Sequence, residues 1–312
     1  MSTVFSNGVR TPITGTLYRA SFIVPDEPAK TFSRVRPDNS RNSGTESMPL
    51  ILDKITTPAE APRVSRPRLL GTLHGSLQGC TSTIINGRAG TGKTLLASDF
   101  AQRCGRAVAW YKIDASDTEL GIFFNYLAGT VSRHRAGFGE QTLMPMVESA
   151  TIEDIPVLAE AFVYELLETS AGEPLLIVLD DLHLVYDAEW VVPFFRRLLP
   201  LLPSEAHVLI TGRSLPPAPL WRMRSKQTLC VVEEAVLAFT EKEAEKLMES
   251  YGLAPERAEA ALQQSRGRAS VLDAIARLWS EAENAEKTGG QSARKEKRGR
   301  KPRVRHSHGY AF

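Results

Sequence analysis

The stretch Ile85–Ala101, INGRAGTGKTLLASDFA, decides how the rest of the chain is read. Gly87, Gly92, Lys93 and Thr94 stand at the spacing G-x-x-x-x-G-K-[ST]. Glycines at these places let successive backbone N–H groups turn inward around phosphate oxygens. A helix beginning near Lys93 adds the partial positive charge of its N-terminus. The spacing therefore assigns Gly87, Arg88, Ala89, Gly90, Thr91, Gly92, Lys93, Thr94 and Leu95 to nucleotide binding. Lys93 is placed to reach the β- and γ-phosphates, and the Thr94 hydroxyl to bind Mg²⁺. The flanks agree: TSTIIN before the loop is a short apolar strand, and KTLLASDFAQRC after it is a helix.

Outward from the loop, strand and helix patterns alternate. AVAWYKI, PLLIVLDD, HVLITGRS and TLCVVE are strand-like, with β-branched and aromatic residues. TELGIFFNYLAGTVSRH, IPVLAEAFVYELLETS and EWVVPFFRRLLPLL are helical, as is RPRLLGTLHGSL ahead of the loop, where Leu69, Leu70, Leu73 and Leu77 recur at helical spacing. This alternation predicts an α/β fold, a P-loop NTPase with a mostly parallel sheet flanked by helices. After the last strand the pattern turns all-helical. Thr240 and Glu243 form a capping box for a helix ending at Gly252, and two more helices follow, a small subdomain expected to pack behind the sheet. The expected divisions are residues 1–63, largely disordered with a short strand near TLYRASFIV; 64–234, the NTPase domain; 235–286, the helical subdomain; and 287–312, a disordered basic tail.

Two further sites fall at strand ends. PLLIVLDD is apolar throughout, as a strand buried on both faces must be, and ends in Asp180 and Asp181. Ligands bind at the carboxyl edge of such sheets. Asp180 there suits the Mg²⁺ hydration shell, and Asp181 suits polarising an attacking water, with a helix cap as its structural alternative. Thr211 and Arg213 end the next strand at the same edge, where a planar cation can pair with a γ-phosphate. A plain surface arginine is the alternative.

Composition fits a globular chain of 312 residues, 42% hydrophobic and 24% charged. There is no signal-peptide pattern or membrane-length apolar run, so a cytoplasmic protein without membrane contact is expected. Cys80, Cys104 and Cys230 are scattered and suggest neither metal nor disulfide. The net charge of +2 is unevenly placed, because nine basic residues and one acid lie from Lys287 onward.

The order of VAWYKIDASDTELGIFFNYLAGTV, LDDLH, ITGRSLPPAPLWRMR and LAFTEKEAEKL resembles the nucleotide-binding domain of STAND ATPases, in particular the large LuxR-type (maltose-regulon-activator-like) regulators. The likeness spans roughly Val64 to Trp279. It implies a switch that exchanges ADP for ATP, opens and self-associates, with hydrolysis resetting it. It also implies that Lys93 and Thr94 hold phosphate and magnesium, that Asp180 and Asp181 form the acidic pair, that Arg213 is the sensor, and that VSRPRLL lies near the adenine. His183 matches a common family position, for which a structural hydrogen bond is expected. Arg268 and Ala269 depart from the family's Gly-Trp-Pro turn and put its nucleotide contact in question. The chain is expected to lack the family's sensor repeats and helix-turn-helix.

The tail segment RGRKPR resembles an AT-hook, and a generic polybasic contact with DNA phosphates fits it as well. A solubilising extension or a contact with an acidic partner stays open. Two functions result: a slowly hydrolysing regulatory switch that self-associates or binds a protein partner, and an AAA+-like DNA-associated motor or loader anchored by the tail.

Overall fold

The computed structural model describes residues 49–170, 172–226 and 228–299. The elements in chain order are α1 (Pro67–Gly79), β1 (Ser82–Asn86), α2 (Lys93–Arg103), β2 (Ala107–Lys112), α3 (Leu120–Ser132), α4 (Leu143–Ser149), α5 (Ile155–Glu168), β3 (Leu175–Asp180), α6 (Val191–Leu201), β4 (Ala206–Gly212), α7 (Ala218–Trp221), β5 (Leu229–Val232), α8 (Glu234–Leu237), α9 (Glu241–Ser250), α10 (Ala258–Ser265) and α11 (Ala269–Gly299). The five strands form one sheet in the order β2-β3-β4-β1-β5, parallel throughout. Each coincides with an apolar run of the sequence.

Strand side chains alternate between two faces. Leu175, Ile177 and Leu179 of β3 enter one core with α3, α5 and α6. Leu176 and Val178 enter the other, with Leu69, Leu70 and Leu73 of α1 and Leu96, Ala97 and Phe100 of α2. A strand covered on both faces has no place for a polar side chain until it emerges, which is why β3 stays apolar up to Asp180. The first core is aromatic: the Phe123 and Trp190 ring centroids are 4.4 Å apart, and those of Phe124 and Phe194 4.9 Å. Truncating such a ring, as in Phe123→Ala, costs about 3–5 kcal/mol.

The strand order builds the functional edge. β4 lies between β1 and β3, so the chain ends leaving β1, β4 and β3 stand side by side at the carboxyl rim. The register pairs Asn86 with Gly212 and Leu179 with Ile210.

Helices α9–α11 have a small core of their own, including Ala244, Leu247, Met248, Leu253, Ala261 and Leu272. The predicted capping box is present, with Thr240 N–H donating to Glu243 Oε2 at 3.0 Å. This subdomain meets the NTPase domain at the phosphate loop, where Ser270 N–H donates to Gly90 O at 2.9 Å. The expected position behind the sheet is thereby corrected.

Other differences have tertiary causes. Helix α4 was not legible, since Pro145 and a preceding glycine-rich stretch obscure it. Its N-terminus is held by Glu165 of α5, a buried carboxylate that accepts from Thr142 N–H at 2.6 Å, Leu143 N–H at 2.7 Å and Gly139 N–H. Within the segment expected to be disordered, Ile55 is buried and Lys54 pairs with Asp117 at 2.6 Å. The backbone of α11 continues to Gly299, past Lys287, where the basic tail was expected to begin. The expectations for residues 1–48, and for the tail beyond Gly299, lie outside the described residues. Among the described residues no helix is long and apolar enough to cross a membrane.

Candidate functional site

The phosphate loop leaves β1 with Gly87, whose N–H donates to Gly212 O at 3.1 Å, tying the loop to β4. Gly90 and Gly92 have φ of 78° and 85°, a region that glycine enters without the Cβ penalty. Thr91 Oγ1 donates to Arg88 O at 2.9 Å and closes the turn. Arg88 is held outside it by Glu234, through its N–H at 2.8 Å and its Nε at 2.7 Å. Lys93 opens α2 and is buried, its Nζ donating to Arg88 O at 3.1 Å. Burial depresses its pKa, against the pull of Asp181. An ammonium so placed gains from an incoming anion. Thr94 follows on the same turn, and Leu95 is partly exposed beside the loop.

Asp180 stands at the tip of β3, 1% exposed. Its Oδ1 accepts the Thr211 hydroxyl at 2.6 Å and the Thr94 hydroxyl at 3.0 Å. Three elements thus converge on one oxygen: β3, β4 and the start of α2. Burial raises the Asp180 pKa, Asp181 adds to the rise, and the two hydroxyls oppose it. Thr211 also accepts the Asp181 N–H at 2.9 Å. It therefore fixes both acids, a role beyond marking the strand end.

Asp181 has φ 61°, unusual for a residue with a side chain and costing about 1–3 kcal/mol. It precedes a short turn, Leu182–Val185, yet makes no side-chain cap hydrogen bond. The helix-cap alternative is thereby removed. Its Oδ1 lies 3.8 Å from Arg213 Nε and 3.6 Å from His183 Nδ1. Arg213 is half-exposed at the end of β4 and faces the same rim. His183 Nδ1 is buried without a hydrogen-bond partner, so the structural bond expected of it is not seen there.

A cavity of about 330 Å³ opens beside the loop. Val64, Arg66, Leu95, Leu96, Phe239, Leu247 and Ser270 are among its lining. It is mostly apolar with a few polar groups, as small-molecule clefts are. Val64 and Arg66 belong to VSRPRLL, the segment that the resemblance places near the adenine, whereas Phe239, Leu247 and Ser270 were not assigned to the site from the sequence. Arg66, 6% exposed, donates to Leu237 O at 2.8 Å and lies over Phe239 at 5.0 Å. Arg68 donates to Val236 O at 2.9 Å and pairs with Glu243 at 3.3 Å. These two arginines clasp the linker into the helical subdomain. Arg268 reaches from the turn before α11 to Ala89 O, its Nε at 3.0 Å and its Nη2 closer still. A Cβ at Gly90 would lie 2.2 Å from Ser270 Oγ, so this approach needs glycine. The departure at Arg268 and Ala269 thus keeps contact with the loop, by a guanidinium. A paired Arg66/Arg68 ahead of the loop was the available signal. The contact of Arg268 had none, since its partner is a backbone carbonyl.

Among the described residues no group of three His, Cys, Asp or Glu is suited to hold a metal ion. Mg²⁺ asks for less, one or two protein oxygens with water and phosphate completing its shell. The Thr94 hydroxyl and the buried Asp180 carboxylate supply two hard oxygens that fit that demand.

A glycine loop between a parallel strand and a helix, facing a buried acid one strand removed, defines a P-loop NTPase domain. The AAA ATPase domain family matches residues 65–211. The HTH-type transcriptional regulator MalT of Vibrio cholerae is 29% identical over 199 residues, which is 62% of this chain and 21% of that protein. MalT of Serratia proteamaculans is 28% identical over 210 residues, 66% of this chain and 22% of that protein. The chain thus spans about a fifth of the length of these curated relatives. A STAND protein with a tetratricopeptide repeat sensor from Pyrococcus horikoshii has a TM-score of 0.46 and 18% identity, covering 68% of this chain and 30% of that one. These comparisons support a P-loop ATPase domain similar to that of the STAND-type regulators.

Proposed function

We propose that this chain is a cytoplasmic ATP-binding switch that hydrolyses slowly and reports its nucleotide through the helical subdomain. The supporting observation is the direct contact between that subdomain and the phosphate loop: Ser270 N–H on Gly90 O, and Arg268 on Ala89 O. A loop that rearranges around phosphate moves carbonyls to which the subdomain is bonded, so occupancy and subdomain position are coupled.

Within this reading the loop from Gly87 to Leu95 holds ATP or ADP, with Lys93 on the β- and γ-phosphates. Thr94 and Asp180 hold Mg²⁺, which when bound offsets charge on the phosphate oxygens. Asp181, whose side chain is free of capping duty, orients and deprotonates the attacking water. Arg213 lies within 3.8 Å of Asp181 and pairs with the γ-phosphate, so its partner changes when that group leaves. Loss of this contact, with the subdomain contacts, converts nucleotide state into self-association or partner binding. Sedimentation tests it. The parent should change its association state with ATP or a trapped analogue but not with ADP, and Arg213→Ala should blunt the difference. A parent that sediments identically in all three would contradict the switch.

The basic run from Lys287 supports the second reading, a DNA-associated ATPase of the AAA+ kind. Duplex DNA would then stimulate turnover, and a chain ending near Thr288 would lose that stimulation while still binding ATP.

A further inference from the structure

The segment Pro49–Arg66, PLILDKITTPAEAPRVSR, runs from the edge of the sheet to the cavity beside the loop. At its start Leu50 packs against Gly129 of α3, where a Cβ would come within 2.3 Å of its Cδ1. Ile55 is buried in the core beside edge strand β2, and its carbonyl accepts from Arg133 at 2.9 Å. Lys54 between them is 7% exposed. Its Nζ bonds both Asp117 oxygens at 2.6 and 2.7 Å, lies 3.0 Å from Asp114 Oδ2, and stands 4.3 Å from the Tyr126 ring centroid. A lysine is rarely buried unless paired, and this one is caged on several sides.

Beyond this anchor the segment follows α2, the helix that carries Lys93 and Thr94. Ser98 of α2 donates to Pro58 O at 2.9 Å, and Ser65 donates to Asp99 of α2 at 2.6 Å. Pro62, Arg63, Val64 and Arg66 then form one wall of the cavity. The same wall touches the helical subdomain, with Arg63 over the Tyr251 ring at 4.2 Å and Arg66 over Phe239 at 5.0 Å.

We infer that Lys54 is a positioning residue for nucleoside recognition: it anchors the strap Pro49–Arg66, whose last residues line the cavity and are the part that the resemblance already places near the adenine. The inference rests on the nucleotide reading above. Lys54 touches neither the phosphate loop nor the cavity. Its effect passes along the strap, which orders the wall before a ligand arrives and so spares the ligand that ordering cost. The phosphate contacts lie on the loop and do not depend on the strap. Losing the anchor should therefore weaken recognition of the nucleoside and leave recognition of the phosphate chain.

Two probes separate these ends: Mg-ATP, and inorganic tripolyphosphate with Mg²⁺, titrated calorimetrically into the full chain. Lys54→Met should lower ATP affinity about tenfold and leave tripolyphosphate within about twofold, and Lys54→Arg should restore most of the loss. Asp114→Asn removes only the exposed partner and keeps Asp117, so it carries the test should Lys54→Met not fold. It should lose about two- to threefold for ATP alone. ATP affinity equal to the parent in folded variants would overturn the inference, and so would an equal loss for both probes, which would make the strap a general stabiliser. A parent that binds tripolyphosphate but not ATP would remove the nucleoside wall while keeping the phosphate loop. A parent that binds neither would remove the nucleotide reading, and the strap's role with it.

Discussion

At the amino-terminal rim of the sheet, Thr83 Oγ1 donates to Ser76 Oγ at 2.7 Å and lies 2.9 Å from His207 Nε2. Nearby, the Thr81 hydroxyl donates to Leu199 O at 2.6 Å, and the Ser82 hydroxyl to Thr228 O at 2.9 Å. At the carboxyl rim of the same strands, Thr94 and Thr211 both donate to one oxygen of Asp180, beside the strained Asp181 and the buried Lys93. Both rims bury polar groups. At the first, hydroxyls, carbonyls and the His207 ring pair without a buried ion pair or a neighbouring phosphate loop, and His207 Nδ1 is left without a hydrogen-bond partner. At the second, charges stand beside the phosphate loop, burial opposes the charge of both Lys93 and Asp180, and the arrangement favours an added anion and cation. Neither polar burial nor one unpartnered buried nitrogen marks a site; buried opposite charges held against their own desolvation beside a glycine loop do.

Mutations should separate the rims, and the largest effect belongs to the carboxyl one. Lys93→Ala should weaken ATP binding by about 10³-fold, about 4 kcal/mol, because it truncates a buried charge that pairs with phosphate. Its melting temperature should stay close to the parent's, since the removed bond goes to a loop carbonyl. Equal ATP affinity by calorimetry would end the assignment.

The amino-terminal rim should respond to pH. Burial, aided by Arg106, lowers the His207 pKa from 6.5 to about 4. Between these values the unfolded chain binds a proton that the folded chain refuses. The stability is fully present above pH 6.5 and falls on acidification through the window, by about 3 kcal/mol in total. Denaturant titrations from pH 7 to 4 should show this fall in the parent and a shallower one in His207→Gln. Identical slopes for both proteins would place the titrating group elsewhere.

Returning to the carboxyl rim, Asp181→Asn should retain Mg-ATP binding and lose about 10²-fold in turnover, measured as phosphate release. Normal turnover would move the base to another residue and leave Asp181 as part of the rim's scaffold. The smallest effect is expected at Arg268. Its bonds to Ala89 O are exposed, so Arg268→Ala should cost about 1 kcal/mol, shifting subdomain opening about fivefold. Limited proteolysis of the linker around residues 233–240 should speed up by a similar factor. An unchanged rate would make the contact incidental.

The parts legible in the sequence are those whose cause is local. The loop shows in its glycine spacing because Gly90 and Gly92 need left-handed backbone, and Asp180 shows because a strand buried on both faces ends abruptly in acid. The five strands and the α9 capping box follow from period and cap chemistry in the same way. The order of the strands was not legible, and it alone brings Thr211 between the loop and Asp180. Nor was α4, whose cap is Glu165 from the following helix. The bond of Arg268 to Ala89 O joins residues 179 positions apart and leaves no periodic trace. Most of the strap was hidden by composition: three Pro, two Thr and two Ala among its eighteen residues break any period, and its order depends on Lys54 meeting Asp114 and Asp117 across the fold.

The central claim is that the helical subdomain reads the nucleotide through the loop. Backbone hydrogen exchange on the full chain, with and without Mg-ATP, tests it most directly. The account predicts that ATP changes protection at residues 87–95 and, together with it, at residues 268–273 at the start of α11, and that Lys93→Ala abolishes both changes. Protection that changes at 87–95 while residues 268–273 stay the same would leave a nucleotide-binding loop with no reader attached, and would contradict the switch.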